Sequence, residues 1–194
     1  MLYAFDGKIP KISKTAYISD QALVIGEVDI GNHCYIGHGV ILRGDYGRIE
    51  IGSGTAVEEN VTVHAPPGDV CKIGRKVTLG HGAIVHAGKI GDRSVIGMGA
   101  ILSLRSRIGE RAIVAEGAVV KRNQQVPARA VVAGNPAKWV RQVTPEDEKR
   151  WGKAKQLYID LAKKYLNIGL QPVDRMNSIF GKPRTKKPLK KISS

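Results

Sequence analysis

Aliphatic–glycine pairs recur along the chain at Ile30-Gly31, Ile36-Gly37, Ile51-Gly52, Ile73-Gly74, Leu79-Gly80, Ile90-Gly91, Ile96-Gly97 and Ile108-Gly109. Successive pairs lie 6, 15, 22, 6, 11, 6 and 12 residues apart, so the underlying period is six. The departures localise: three extra residues fall near RGDYGR (43–48), four near APPGDV (65–70), and one is missing near HAGK (86–89). Small or β-branched residues, among them Cys34, Val40, Val77, Ala83, Ser94, Ala100, Ala112 and Ala118, follow four places after the aliphatics. Such self-similarity is the mark of a repeat architecture.

A six-residue unit makes one short strand and a tight corner, with the aliphatic pointing inward and glycine or a polar residue taking the turn. Three units close a triangular coil of eighteen residues, and coils stack at ~4.8 Å, the spacing of hydrogen-bonded strands. The expected fold is therefore an all-β solenoid, a parallel β-helix; the repeat leaves its hand open. A narrow interior filled by Val, Ile, Leu and Ala explains why 194 residues contain 23 Gly but only two Phe and two Trp.

The period changes at TPEDEKRWGKAKQLYIDLAKKYL. Thr144 suits an N-cap, Pro145 the first helical position, and acids follow in the first turn. Trp151, Ala154, Leu157, Tyr158, Leu161 and Tyr165 recur at three- and four-residue steps, which predicts an amphipathic α-helix lying along the solenoid. The expected organisation is a β-helix domain over residues 1–143, the helix over 144–168, and a basic, solvated tail over 169–194.

That tail holds Lys182, Arg184, Lys186, Lys187, Lys190 and Lys191 without an acid, so the net charge of +14 overstates the charge on the fold itself. No RNA-binding signature or zinc knuckle accompanies it, and nucleic acid is not an expected partner. MLYAFDGKIP lacks a basic segment followed by an apolar run, and no apolar run approaches a membrane span, so the expectation is a cytoplasmic, soluble protein. Cys34 falls in an inward slot and Cys71 in an inserted loop; both read as structural thiols.

The histidines carry the chemistry. Val63 and Val85 are 22 residues apart, and subtracting the four inserted residues leaves one full coil. His64 and His86 follow those valines directly, so they sit one above the other at one corner, a separation that suits two ligands of one ion. His81 belongs to the preceding hexad and lies near another corner, on the order of 15 to 20 Å away at ~3.3 Å per residue. In a three-fold oligomer of prisms it can face the His64/His86 corner of the next subunit. The alternative is three surface-turn histidines sharing a repeat, but a cluster in coil register is more specific than any single residue. His33 and His38 lack that register and are expected on exposed corners.

With RGDYGR, H…GHGAIVH, IGDRSVIGMGAIL and AGNPAKWVR in order over residues 10–165, the sequence resembles the gamma-class carbonic anhydrase family, and within it the carnitine-operon and phenylacetate-degradation branch of hexapeptide proteins. The resemblance implies a left-handed β-helix with a C-terminal α-helix, a homotrimer, and a metal held by His64 and His86 of one subunit with His81 of its neighbour. It implies reversible hydration of carbon dioxide to bicarbonate by a metal-bound hydroxide, with no membrane partner. Zn2+ is the first expectation for the ion; Fe2+ and Co2+ suit imidazole equally.

Arg43 and Asp45 match the family's Arg-x-Asp, and AVEE stands where the family has Asn-x-Gln-Asp, putting Glu58 at the Gln position, Glu59 at the Asp position and Ala56 in place of the amide. Tyr46 replaces an acid that follows the Arg-x-Asp in well-known members, and Tyr158 matches a helix tyrosine used near the metal in others. Glu58 is the candidate to orient or deprotonate the reacting water, and Tyr158 to polarise substrate or pass protons. Each has a plainer alternative: Glu58 a solvated corner, Tyr158 a packing residue, Arg43 with Asp45 an interface ion pair. Rival functions on the same scaffold are acyl-CoA thioester hydrolysis at the metal, metal-free acyl transfer with a histidine base, and non-catalytic bicarbonate or metal binding.

Overall fold

The computed structural model describes residues 1–86 and 88–173; the basic tail expected from residue 169 falls outside the described residues from 174 onward. The chain climbs a parallel β-helix with three faces. On the first, Tyr17–Ile18, Tyr35–Ile36, Ala56–Val57, Thr78–Leu79, Val95–Ile96, Ile113–Val114 and Ala130–Ala133 stack in parallel, and antiparallel Lys138–Gln142 ends the sheet. The other faces share one sheet because Leu23–Ile30 and Ile41–Ile51 each run round the corner between them. Thr62–His64, Ile84–His86, Ile101–Leu102 and Val119–Val120 continue the second face; Val70–Ile73, Gly88–Ile90, Ser106–Ile108 and Gln125–Val126 continue the third.

The core is a set of ladders along the axis. Val24, Leu42, Val63, Val85, Leu102 and Val120 are successive register partners, and none is more than 1% exposed. Burying each such side chain contributes about 1.5–3 kcal/mol, so stability accrues coil by coil. Neither Trp139 nor Trp151 belongs to this core, and Phe5 is exposed. Cys71 corrects the sequence reading: it lies on Val70–Ile73, fully buried in the core, not in the inserted loop, and burial pushes its thiol up to about 12.

Glycine serves the corners in two ways. At Gly97 a Cβ would stand 2.5 Å from the Glu116 backbone nitrogen of the next coil, so only a hydrogen fits between the two backbones. At Gly99 there is open space, but φ is +65°, a conformation that side chains resist.

The helix, α1, spans Pro145–Ile168. Thr144 caps it in a reciprocal box: its hydroxyl accepts from the Asp147 N–H at 3.2 Å, and its own N–H donates to Asp147 Oδ2 at 2.9 Å. Arg141 donates to the same carboxylate at 2.5 Å, holding Asp147 well below the usual range and tying the last strand to the helix. α1 covers the first face, where Ala162, Tyr158, Leu161 and Tyr165 pack on Tyr17, Tyr35 and Ala56. Leu157, read as part of the apolar stripe, is 67% exposed, whereas Lys155 is buried. No helix of the described residues is long and apolar enough to cross a membrane.

The two glycine roles separate in measurement. Gly97→Ala is expected to cost about 2–3 kcal/mol, because neighbouring coils must part, and Gly99→Ala only about 1 kcal/mol for backbone strain. Urea unfolding followed by circular dichroism checks the order; equal losses would show that close approach is not what Gly97 provides.

Candidate metal centre

Stacking brings His64 and His86 together. They are direct register partners, their rings lie parallel within 13°, and the ring centroids are 5.1 Å apart. Arg43 is the partner of His64 on the coil below and reaches its Nε2 at 2.8 Å. Burial, then the charge of Arg43 and the neighbouring His86, lower the pKa of His64, so the imidazole is held neutral with its Nε2 lone pair facing a cation. That is the state a metal ligand needs. Asp45 approaches Arg43 only loosely, at 3.8 Å.

His81 stands at the other end of the second face, five residues and roughly 16 Å of strand from His86 at ~3.3 Å per residue. Its Nδ1 is 2.8 Å from Glu59 Oε2 and its Nε2 3.2 Å from Glu58 Oε2. Burial works to raise Glu59, but the Tyr35 hydroxyl, donating at 2.6 Å, and His81 outweigh it, and its carboxyl ends below the usual range. An ionised Glu59 accepting the Nδ1 proton fixes the tautomer and leaves the Nε2 lone pair, the arrangement that carboxylates impose on metal-ligating histidines.

Glu58 differs from its neighbour. It is 6% exposed, and burial raises its pKa against the pull of His81 and of the nearby Tyr158 hydroxyl. Burial and the two carboxylates in turn hold the Tyr158 phenol in its protonated form. Tyr158 thus reaches the site from α1 and also packs on Tyr35, with centroids 5.2 Å apart. His38 is half-buried: its Nδ1 lies 2.6 Å from Ser19 Oγ and its ring meets the edge of Tyr165, which corrects the expectation of an exposed corner.

Among the described residues of one chain, no three His, Cys, Asp or Glu side chains converge as metal ligands do. The structure brings together His64, His86 and Arg43 at one corner, and His81, Glu58, Glu59 and Tyr158 at another.

No protein-family model matches the chain. It is 37% identical over 165 residues to a carbonic anhydrase of Geobacillus kaustophilus, covering 85% of this chain and 91% of that protein. The chain belongs to the gamma carbonic anhydrase-like family of hexapeptide-repeat proteins. Gamma carbonic anhydrase 2 of Arabidopsis thaliana, a mitochondrial protein, is 36% identical over 169 residues, which span 84% of this chain and 60% of the plant protein. Carnitine operon protein CaiE of Proteus is 39% identical over 146 residues, 75% of this chain and 74% of that protein. Among solved structures, a hexapeptide transferase family protein from Anaplasma phagocytophilum superimposes with a TM-score of 0.81 at 36% identity, over 85% of this chain and 98% of that one. The fold of this family is the left-handed β-helix with a C-terminal helix.

Sequence reasoning missed one buried ion next to this site. Lys155 of α1 donates to Thr78 Oγ1 at 3.0 Å and to the Ser94 carbonyl at 3.1 Å. Burial pushes its amine down to about 7, against the raising pull of Glu58. Because the folded value lies below the unfolded one, the folded chain binds fewer protons between about pH 7 and 10.5, and stability rises with pH across that window. Lys155→Met removes this slope. The stability difference between wild type and variant is expected to shift by on the order of a few kcal/mol in favour of wild type from pH 6.5 to 10, read from urea midpoints.

Proposed function

We propose that the protein is a metal-dependent, gamma carbonic anhydrase-like enzyme that hydrates carbon dioxide reversibly, working as a homotrimer whose ion is held by His64 and His86 of one subunit and His81 of the next. The observation that carries this reading is the pairing of two preset half-sites, a stacked imidazole pair and a carboxylate-oriented imidazole, at opposite ends of one face. That face carries an exposed apolar column, Ile41, Ile84 and Ile101, at 36%, 46% and 37% exposure, in register through Thr62. An apolar stripe running the length of a solenoid is what packing around a three-fold axis would bury, and it would bring the His81 corner of one subunit to the His64/His86 corner of its neighbour.

The residues fit a borderline divalent ion: three imidazoles are a ligand set for zinc, iron(II) or cobalt(II) that keeps an open position. Such an ion, when bound, supplies the Lewis acidity that makes water a nucleophile near neutral pH. The chain's own contribution is proton handling. Glu58, beside the His81 Nε2 and made a stronger base by burial, takes a proton from the reacting water, and the Tyr158 hydroxyl stands beside its carboxyl group. Glu59 with Tyr35 keeps His81 oriented, and Arg43 with Asp45 stands at the mouth of the imidazole pair to receive an anion.

The likeness to a hexapeptide transferase favours acyl transfer as the second reading, with acyl-CoA as substrate, and thioester hydrolysis at the same metal remains a variant of the first. Metal analysis combined with carbon dioxide hydration and acyl-CoA assays separates them; metal-free, acyl-transferring protein would overturn the first reading. A cytoplasmic location belongs to this proposal as well.

Trimers of His81→Ala and of His64→Ala should each lose the ion. Refolded together at equal ratio, about one interface in four joins an intact His64/His86 corner to an intact His81, so roughly a quarter of the metal should return. No return would place all ligands in one chain and sink the shared site. Ile84→Glu, which sets a charge in the apolar column, is expected to turn trimers into monomers on light scattering while the coil stays folded.

A further inference from the structure

The corner opposite the apolar face, between the third face and the helix-covered one, carries a column of cations. Lys76, Arg93, Arg111 and Arg129 occupy successive left-handed corner positions, with φ between +52° and +60°. Beside them, between α1 and the sheet, lies a cavity of about 170 Å³ whose wall includes Lys76, Arg93 and Lys155 together with Trp151, Val95 and Ile113. Arg111 and Arg129 are engaged by Glu148, at 3.7 Å and 2.7 Å. Asp147, at the cavity edge, is held by Arg141 and Arg150. Among the described residues no carboxylate comes within 4 Å of the charged nitrogens of Lys76, Arg93 or Lys155.

Two unmatched cations, Lys76 and Arg93, beside one small cavity set a positive potential, and the apolar part of the wall strengthens it by excluding water. The indole N–H of Trp151 is buried without an acceptor, a further donor with no partner in the chain. Inorganic anions would find the charge but not the use of Trp151, Val95 and Ile113; a neutral apolar molecule would find the reverse. A cavity of this size holds a molecule of roughly six to eight heavy atoms, smaller than the usual drug-sized ligand.

We propose that this cavity is a binding site for a small monocarboxylate with an apolar body, its charge set against Arg93 and Lys76 and its body against the Trp151 wall. The site uses none of the histidines. It lies at the vertex of the coil farthest from the apolar column, so it stays open in the trimer and does not depend on the metal reading.

The test uses the full chain carrying Trp139→Phe, which leaves Trp151 as its single indole; Trp139 is 61% exposed on the last strand and outside the cavity. Cyclopentanecarboxylate, which does not absorb with tryptophan, is titrated against indole fluorescence, beside cyclopentylmethanol and inorganic phosphate. The expected result is a saturable change with the carboxylate, at least about tenfold weaker with the alcohol and with phosphate, and at least about tenfold weaker in Arg93→Gln and Lys76→Gln, as loss of one charged contact implies. Methyl NMR shifts at Val95 and Ile113 give a second readout that needs no charge variant. No saturable response by either method, equal binding of the alcohol or of phosphate, or unchanged affinity in the folded charge variants would each overturn the proposal.

Discussion

Everything in this structure depends on coils stacking at the distance of hydrogen-bonded parallel strands. That distance leaves no room for a Cβ between corners at positions such as Gly97, and it forces side chains of like position into columns. The core ladder from Val24 to Val120 is one such column, and its aliphatic uniformity follows from an interior too narrow for Trp. Insertions are tolerated only where the chain can leave the coil and return in register, as it does between the second and third faces around residues 65–69, where the Asp69 N–H bonds back to the Pro66 carbonyl.

The same stacking builds chemistry outside the coil. A residue type placed once per coil becomes a ladder, and Arg43, His64 and His86 form one in which burial, then the guanidinium below and the imidazole above, lower the pKa of His64. Glu58 and Glu59, adjacent in sequence, are driven apart in acidity because one points to a buried site and the other meets the Tyr35 hydroxyl. Two carboxylates of unlike acidity flanking one imidazole are a usual way for a site to combine proton transfer with fixed orientation. Neither half-site is complete in one chain, so assembly and activity would be linked in the proposed trimer.

The helix is what lets the outer surface hold polar groups away from water. By covering the first face it buries Lys155, whose hydrogen bonds to Thr78 and Ser94 offset part of the cost of removing its charge from solvent. It also delivers Tyr158 to Glu58, and leaves a cavity beside the cation column.

How much of this was legible in the sequence follows from range. The six-residue period, the places of its insertions and the stacking of His64 under His86 depend on local chain geometry, which repeats identically in every coil, so counting residues is enough to obtain them. Family kinship was legible too, through motifs in fixed order. The residues that meet across different periods were not. An apolar stripe on α1 shows that it docks, but whether Lys155 or Leu157 faces inward depends on how the helix is rotated over Tyr17, Tyr35 and Ala56, a matter of shape between segments more than a hundred residues apart. Tyr35 finds Glu59 across 24 residues, and His38 finds Ser19 and Tyr165, because neighbouring coils and the helix converge there; nothing in a single hexad carries that information. The sequence by itself determined the coil and what each corner displays, since both follow from a local repeat; the tertiary structure alone decided which displayed groups become buried, paired and shifted in acidity, since desolvation and contact exist only once distant surfaces close on each other.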